Sequence, residues 1–469
     1  MNVNASLSRR AVLTNSHLGL GAIALHSLLC DDQSRAADES RPDALPARAK
    51  NVIVLTMSGG PSQLDLFDPK PELSRRDGQR LPETYNEKFA QIRGEPMLMA
   101  SPYQFSRHGE SGAAFSELLP HMAGVADDFT IVRSLTTESF NHDPAMTMLN
   151  TGSTRPGRPS MGAWLSYGLG SENKDLPGFV VLISGAGGAL GSHAWGSGFL
   201  PTSHQGVQFR SAHDPVLFLS DPTWMSRTSR RRSLNALHAL NQIEQQQTRD
   251  REIETRIKAY ELAFRMQTSV PQLVDLSQET AATHRLYGAQ PGQPSFAANC
   301  LLARRMVEQG VRFVQLFHRG WDHHGFGHIG GIDVGLPERC RDVDQATAGL
   351  ITDLRERGLL EDTLVVWGGE FGRTPVRQKS VLTTYLGRDH HRSGFTMLVA
   401  GGGFRSGLTY GKTDDIGYFP VDGQMSMHDL HATLLHTLGI NHEHLTWRHL
   451  GRDFRLTDVA GRVIHDLLS

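Results

Sequence analysis

Sulfur is scarce in this chain. Three cysteines among 469 residues exclude a disulfide scaffold, a four-cysteine zinc site and a cysteine-ligated iron–sulfur cluster. Net charge is scarce too: 47 basic residues against 49 acidic ones leave −2, with no long basic run. The electrostatic footprint of a nucleic-acid binder is therefore missing. Past residue 30 no apolar stretch is long enough to span a bilayer, and no internal repeat is visible. A composition of 39% apolar and 20% charged residues is that of a globular protein and argues against a disordered chain as a whole. What the chain does have is histidine, 23 of them, so any bound metal must be held by His and carboxylates.

The N-terminus reads as an address. Ser8, Arg9 and Arg10 precede a mildly apolar run from Leu18 to Leu29. Such a run is shorter than the ~18 residues a membrane span needs. Paired arginines ahead of it are similar to a twin-arginine export signal, so residues 1–30 are expected to be a leader. Residues 31–49 are polar, with two prolines, and read as a disordered linker. With Cys30 in the leader, Cys300 and Cys340 remain, and both sit in helical apolar patterns. They are expected to be buried, inert thiols.

From residue 50 onward, short apolar runs alternate with helical patterns, the signature of an α/β fold. Val52–Met57, Phe129–Val132, Phe179–Ile183, Val311–Phe317, Thr363–Trp367 and Phe395–Ala400 are the candidate strands. Continuous apolar runs suit strands covered on both faces, which predicts a mostly parallel central sheet sandwiched by helices. Residues 220–295 differ: Ile253, Ile257, Tyr260 and Phe264 recur at helical spacing among many charges, predicting a helical insertion. Arg227, Arg230, Arg231 and Arg232 within it are either an anion patch or a solvated helix start.

Chemistry-bearing residues gather where strands end, which is where open α/β sheets bind ligands. After the run at 311–317 comes HRGWDHHGFGH, with His318, Asp322, His323, His324 and His328. An Asp and a His two residues apart can face one divalent ion. After 363–367 comes GGEFGRT, where Glu370 offers an oxygen ligand and Arg373 an oxyanion clamp, or the two form an ion pair shaping a turn. Gly387-Arg388-Asp389-His390-His391 precedes the run at 395–400. Finally, His142 and Asp143 open a predicted helix with Pro144 near its first turn. Its N-terminus suits an anion or a nucleophile, although Asp143 as a helix cap is a simpler reading. Two further signals fail. The glycines at 185–191 lack dinucleotide-loop spacing, and His428, His431 and His436 lie on a core-facing helix.

Taken together, TMSGGPSQLDLFDPKP, NHDPAMTMLNTG, RPSMGAWLSYGLGSEN, GWDHHG, GGEFGRTP and GRDHH resemble the bacterial domain-of-unknown-function 1501 proteins. That family is placed in the alkaline phosphatase/sulfatase superfamily, and the resemblance runs from Lys50 to the C-terminus. It implies an alkaline phosphatase/sulfatase-like sheet with one or two divalent ions beyond its strand ends. By position, Asp322 and His324 resemble one metal site's Asp/His pair, Glu370 an acidic ligand, and His390 the His before the last core strand. The metal's identity stays open among Zn, Mn, Ca and Mg. Two departures stand out. Ser58 occupies the place of an Asp ligand, for which Ser62, Asp65 or Asp68 would have to substitute. Setting Thr151-Gly152 on the family's T-G pair puts His142 on the sulfatase nucleophile and Met146 on its Arg, so formylglycine chemistry is excluded.

The expectation is thus an exported, metal-dependent hydrolase of phosphate- or sulfate-type esters. Its metal would be held by Asp322, His324, Glu370 and His390, with Arg373 and His142 as catalytic residues, His142 being equally open to a role as nucleophile, general base or metal ligand. The rival expectations are a degenerate member that binds an anionic glycan or a partner, and a structural protein whose metal tethers loops. In domain terms the chain reads as a leader, a linker and one large domain over residues 50–469 carrying the insertion.

Overall fold

The computed structural model describes residues 45–85, 92, 95–186, 191–210, 215–216, 219–221, 224–248, 251–379, 382 and 384–469. The expected leader, residues 1–30, and residues 31–44 of the expected linker lie outside them. Residues 45–49 are pinned rather than loose. The Leu45 N–H donates to the Gly439 carbonyl at 3.1 Å, the Arg48 and Ala49 N–H groups donate to that of Thr437, and Ala49 is buried.

Eleven strands and seven helices frame the site. The strands are β1 (Asn51–Ser58), β2 (Phe129–Thr136), β3 (Phe179–Gly185), β4 (Val207–Phe209), β5 (Phe313–Arg319), β6 (Thr363–Gly368), β7 (Gly372–Arg377), β8 (Arg388–His391), β9 (Ser393–Ala400), β10 (Thr409–Tyr410) and β11 (Met425–Ser426). The helices are α1 (His142–Thr151), α2 (Met161–Leu169), α3 (Arg227–Thr248), α4 (Arg251–Val274), α5 (Phe296–Glu308), α6 (Gly335–Glu356) and α7 (Met427–Thr437). A nine-stranded sheet runs β10-β2-β9-β6-β1-β5-β3-β4, with β11 also on β2. All its pairings are parallel except those of β9, which is antiparallel to both β2 and β6.

Side-chain alternation explains the two covered faces. Ile53, Leu55 and Met57 of β1 point into one core with Val314, Leu316, Val365 and Trp367, beneath α5 and α6. Val52 and Val54 point into the other with Phe313, Phe317, Leu364 and Val366, beneath α1, α2 and α7. Each such side chain, fully buried, contributes roughly 1.5–3 kcal/mol, so strands with two apolar faces are held in the middle of the sandwich. All six apolar runs read from the sequence form strands. Helix starts are set by hydroxyls: the Ser160 and Ser295 side chains accept from the N–H groups of Ala163 and Ala298, and Ser426 forms a reciprocal capping box with Asp429. Helix α1 ends at Gly152, where φ is +66° and an added Cβ would lie 1.9 Å from the Leu456 carbonyl oxygen.

Cys300 and Cys340 are unpaired and fully buried, and burial pushes both thiols well above their usual range. The region between residues 220 and 295 contains α3 packed on α4, whose Met266, Val270 and Leu273 enter the α5/α6 core. Arg227 and Arg231 lie over the Phe264 ring, 4.6 and 3.9 Å from its centroid, and Arg231 pairs with Glu261 at 2.8 Å. Two members of the arginine cluster are therefore engaged within the helix pair.

β1, β5 and β6 end together: Ser58 aligns with Arg319, and Thr56 with Gly368. Between β6 and β9 the chain leaves the sheet and forms the antiparallel pair β7–β8, which also recruits the short strand Met97–Leu98. That excursion sets Arg373 opposite His390 in register.

Candidate metal centre

Three loops, strand β8 and the start of α1 converge beyond the ends of β1, β5 and β6. Gly59 makes the first turn at φ +125°, and a Cβ there would stand 2.5 Å from the Asp322 nitrogen, so only glycine lets the β1 and β5 loops touch. The β5 loop carries Asp322 and His324, the β6 loop Glu370, strand β8 His390, and the first residue of α1 is His142.

Asp322 is the hub. Its Oδ1 lies 2.9 Å from His324 Nε2, 3.1 Å from His390 Nε2, 3.3 Å from His142 Nε2 and 2.7 Å from Arg373 Nη2. One ligand atom each from His142, Asp322, His324 and His390 fall within 4.8 Å of one another, a group able to hold a metal ion. Asp322 is 45% exposed, whereas His324 and His390 are 11% and 7% exposed, so the cluster opens to solvent on the Asp322 side.

The outer ring nitrogens fix the tautomers. His390 Nδ1–H donates to the Phe140 carbonyl at 2.7 Å, and His324 Nδ1–H donates to Gln378 Oε1. Both Nε2 atoms therefore present lone pairs, 2.8 Å apart and beside a carboxylate. Acceptors crowded in this way repel one another unless a cation sits among them. A divalent ion fits this donor set.

Charges in the cluster are displaced accordingly. Burial alone would raise the Asp322 carboxyl, but its neighbours, Arg373 foremost, hold it far below the usual carboxylate range. Burial, followed by Arg373, pushes His390 down to about 3. At His142 burial opposes the charge, but the hydrogen bonds to Asp322 and Glu370 prevail and raise it to about 9.

The structure brings Asp322, His324 and His390 together, and His142 with them. It puts Glu370 and Arg373 elsewhere than the sequence reading had them. Glu370 lies outside the four-residue group. It is 1% exposed, accepts from the Gly59 N–H at 3.0 and 3.2 Å, and lies 2.7 Å from His142 Nδ1. Arg373 is fully buried, donating to the carbonyls of Gly59, Gly60, Trp321 and Arg388 as well as to Asp322. Enclosed in this way it braces Asp322 and presents no fork to an incoming anion. His323 is also fully buried, neither ring nitrogen has a hydrogen-bond partner, and burial followed by Arg373 lowers it to about 3. His391 donates to the Tyr418 carbonyl at 2.6 Å.

None of the substitutes for an Asp at Ser58 belongs to the metal-binding group. Ser62 bonds Asp65 at 2.5 Å, Asp65 is paired with Arg388 at 2.8 Å in full burial, and Asp68 is held by Lys70 and Thr413. Helix α1 starts at His142 behind Asn141, so Asp143 lies in the first turn and is not the cap. Gln378, the Phe140 carbonyl and the Gly59 N–H were not foreseen; only the Gly59-Gly60-Pro61 turn left a trace in the sequence.

Comparison with known proteins adds the following. Residues 49–468 match the family model described as a protein of unknown function, DUF1501. No curated protein matches the chain. Among solved structures, the lipoteichoic acid synthase LtaP from Listeria monocytogenes is similar at 11% identity and a TM-score of 0.32, over 87% of this chain and 78% of that one. The PsFucS1 sulfatase from Pseudoalteromonas sp. is similar at 14% identity and 0.35, over 84% and 69%. The alkaline phosphatase from the Antarctic bacterium TAB5 is similar at 10% and 0.30, over 76% and 92%. Likenesses this distant say nothing about the site, whose reading rests on its own residues. Among the described residues, no helix is long and apolar enough to cross a membrane.

Proposed function

The chain belongs to the DUF1501 family, and from the cluster beyond its strand ends we propose that it is a metal-dependent hydrolase of phosphate- or sulfate-type esters. The observation that carries this reading is the pair of inward-facing Nε2 atoms on His324 and His390, 2.8 Å apart and both within 3.1 Å of Asp322 Oδ1. Asp322, His324, His390 and His142 hold the ion. Three imidazoles and one carboxylate favour Zn over Mn, Ca or Mg, which lean toward oxygen ligands. When bound, the divalent ion supplies Lewis acidity toward an ester oxygen.

The protein's own residues do the rest. Arg373 holds the Asp322 carboxylate in place, while Phe140 and Gln378 keep two imidazoles in the ligating tautomer. Asp322 and Glu370 bring two negative charges and Arg373 one positive, so a divalent ion leaves a positively charged centre. Such a centre attracts anionic esters through its solvent-open side. Ser8, Arg9 and Arg10 support export, which would place the activity in the periplasm or outside the cell.

A second reading is favoured by specific residues. Ser58 replaces an acidic ligand, and His142 stands at the nucleophile position engaged by Glu370. A catalytically degenerate member would bind an anionic glycan or a partner at the same centre. The test is metal analysis of the purified protein with turnover of aryl phosphate, bis-aryl phosphodiester and aryl sulfate, beside Asp322→Ala. Bound metal with turnover that Asp322→Ala abolishes is the expected result. Metal without turnover on all three classes overturns the hydrolase in favour of the second reading, and absence of metal overturns both.

A further inference from the structure

We propose that Glu370 is a positioning residue that makes His142 the fourth metal ligand, and the strongest imidazole donor of the set. The inference deepens the metal-centre reading above and rests on it. It starts from the outer nitrogens of the three clustered imidazoles. His390 donates to a backbone carbonyl and His324 to a side-chain amide, both neutral acceptors. Asp389 Oδ1 also stands near His324 Nδ1, at 4.0 Å, but only His142 Nδ1 has a carboxylate at hydrogen-bond distance, Glu370 at 2.7 Å.

That carboxylate is built in. Glu370 is 1% exposed, and the Gly59 N–H reaches both of its oxygens. The N–H is brought there by a turn that no other residue can make, since a Cβ on Gly59 would strike the Asp322 backbone. Glu370 also follows directly on Gly369, where a Cβ would lie 2.4 Å from Pro61. Both loops are thus compressed to bring the carboxylate behind the ring.

The consequence is chemical. An acceptor carboxylate places the ring proton on Nδ1, which leaves the Nε2 lone pair for the cluster. His142 Nε2 is buried and lies 3.3 Å from Asp322 Oδ1, where a bound ion would take the place of the proton the two atoms share. Partial transfer of charge from Glu370 into the ring makes it a better donor than its two neighbours. Glu370 therefore acts from behind the ring, and the carboxylate read from the sequence as a ligand serves the metal through His142.

The experiment measures affinity for Zn2+ by competition with a chromogenic chelator, and the visible spectrum of the Co2+-loaded protein. The variants are Glu370→Gln, which keeps shape and loses charge, His142→Ala, and the double variant. Glu370→Gln is expected to weaken binding ~10–100-fold. His142→Ala should weaken it further and shift the Co2+ spectrum, and the double variant should be no weaker than His142→Ala alone. Equal affinity of Glu370→Gln and wild type overturns the positioning role, and an unchanged Co2+ spectrum in His142→Ala overturns the ligand. If Glu370→Gln does not fold, imidazole 15N spectra of the Zn2+-loaded wild type decide: a proton on Nε2 of His142 overturns the proposal. A wild type that takes up neither ion sinks the underlying metal-centre reading instead.

Discussion

Arg304 and Asp322 each stand at the centre of a buried polar cluster, and the two clusters are satisfied in opposite ways. Arg304, on α5, lies 2.7 Å from Glu279, 2.6 Å from Glu308 and 2.9 Å from Asp353. Tyr287 donates to Asp353 at 2.9 Å, and Arg357 pairs with both Asp353 and Glu308. Every charge there meets an opposite charge within 3.0 Å, so the cluster is electrically closed. Around Asp322 lone pairs face lone pairs, and the enclosed Arg373 reaches Asp322 from one side only. A closed cluster ties helices together, whereas an open one has room for a ligand that the protein does not itself supply.

The largest expected effect tests the closed side. Arg304→Ala removes the cation that three carboxylates share, and leaving charges buried without a partner costs about 3–5 kcal/mol. Arg357 stays and moderates the loss, so the lower end is expected from urea denaturation. The loss should be the same with or without a chelator. If a chelator changes it, the two clusters are coupled and the contrast fails.

The open side should behave in reverse. With free metal a hundredfold above its dissociation constant, binding stabilises the folded state by about 2.7 kcal/mol. A chelator should therefore lower the wild-type denaturation midpoint and leave that of Asp322→Ala unmoved. Equal chelator response in both proteins would mean that the ion binds elsewhere.

The sequence disclosed these two regions unequally, for physical reasons. Strands buried on both faces write themselves as continuous apolar runs, so β1, β2, β3, β5, β6 and β9 were legible. The same run reads alike in either direction, and the antiparallel setting of β9 was therefore hidden. β4, β10 and β11 have two or three residues each, too few for any period. At the site, Asp322 and His324 were legible from their two-residue spacing at a strand end. Glu370 and Arg373 follow a strand in the same way, but which way a turn points depends on what the Gly59 loop allows. Only the fold reveals that one stands behind His142 and the other beneath Asp322. The Arg304 network drew no notice at all, because its partners Glu279 and Asp353 are remote in sequence.

Histidine offers the finest version of the contrast. On α7, His428 Nε2–H donates to the Gly152 carbonyl at 3.0 Å and His431 Nε2–H to that of Leu149 at 2.8 Å, tying α7 to the end of α1 opposite His142. His431 Nδ1 has no hydrogen-bond partner, and the ring lines a small cavity with Val54, Met161, Val366 and Met397, away from the converging imidazoles. Burial lowers His431 to about 4, so the ring stays neutral in the folded protein at mildly acid pH. In the unfolded chain it takes a proton near pH 6.5. Its folded value lies below its unfolded value, so its contribution to stability is present above pH 6.5. That contribution is lost as the pH falls from 6.5 toward 4. Between pH 7 and pH 5 the loss amounts to about 2 kcal/mol. His431→Gln keeps an amide donor for Leu149 and cannot titrate in this range. Its unfolding free energy should fall less steeply than that of wild type across the interval, by that amount, with a chelator present throughout. Parallel pH slopes in the two proteins would show that His431 is not held neutral, and would remove it as the closed counterpart of His142.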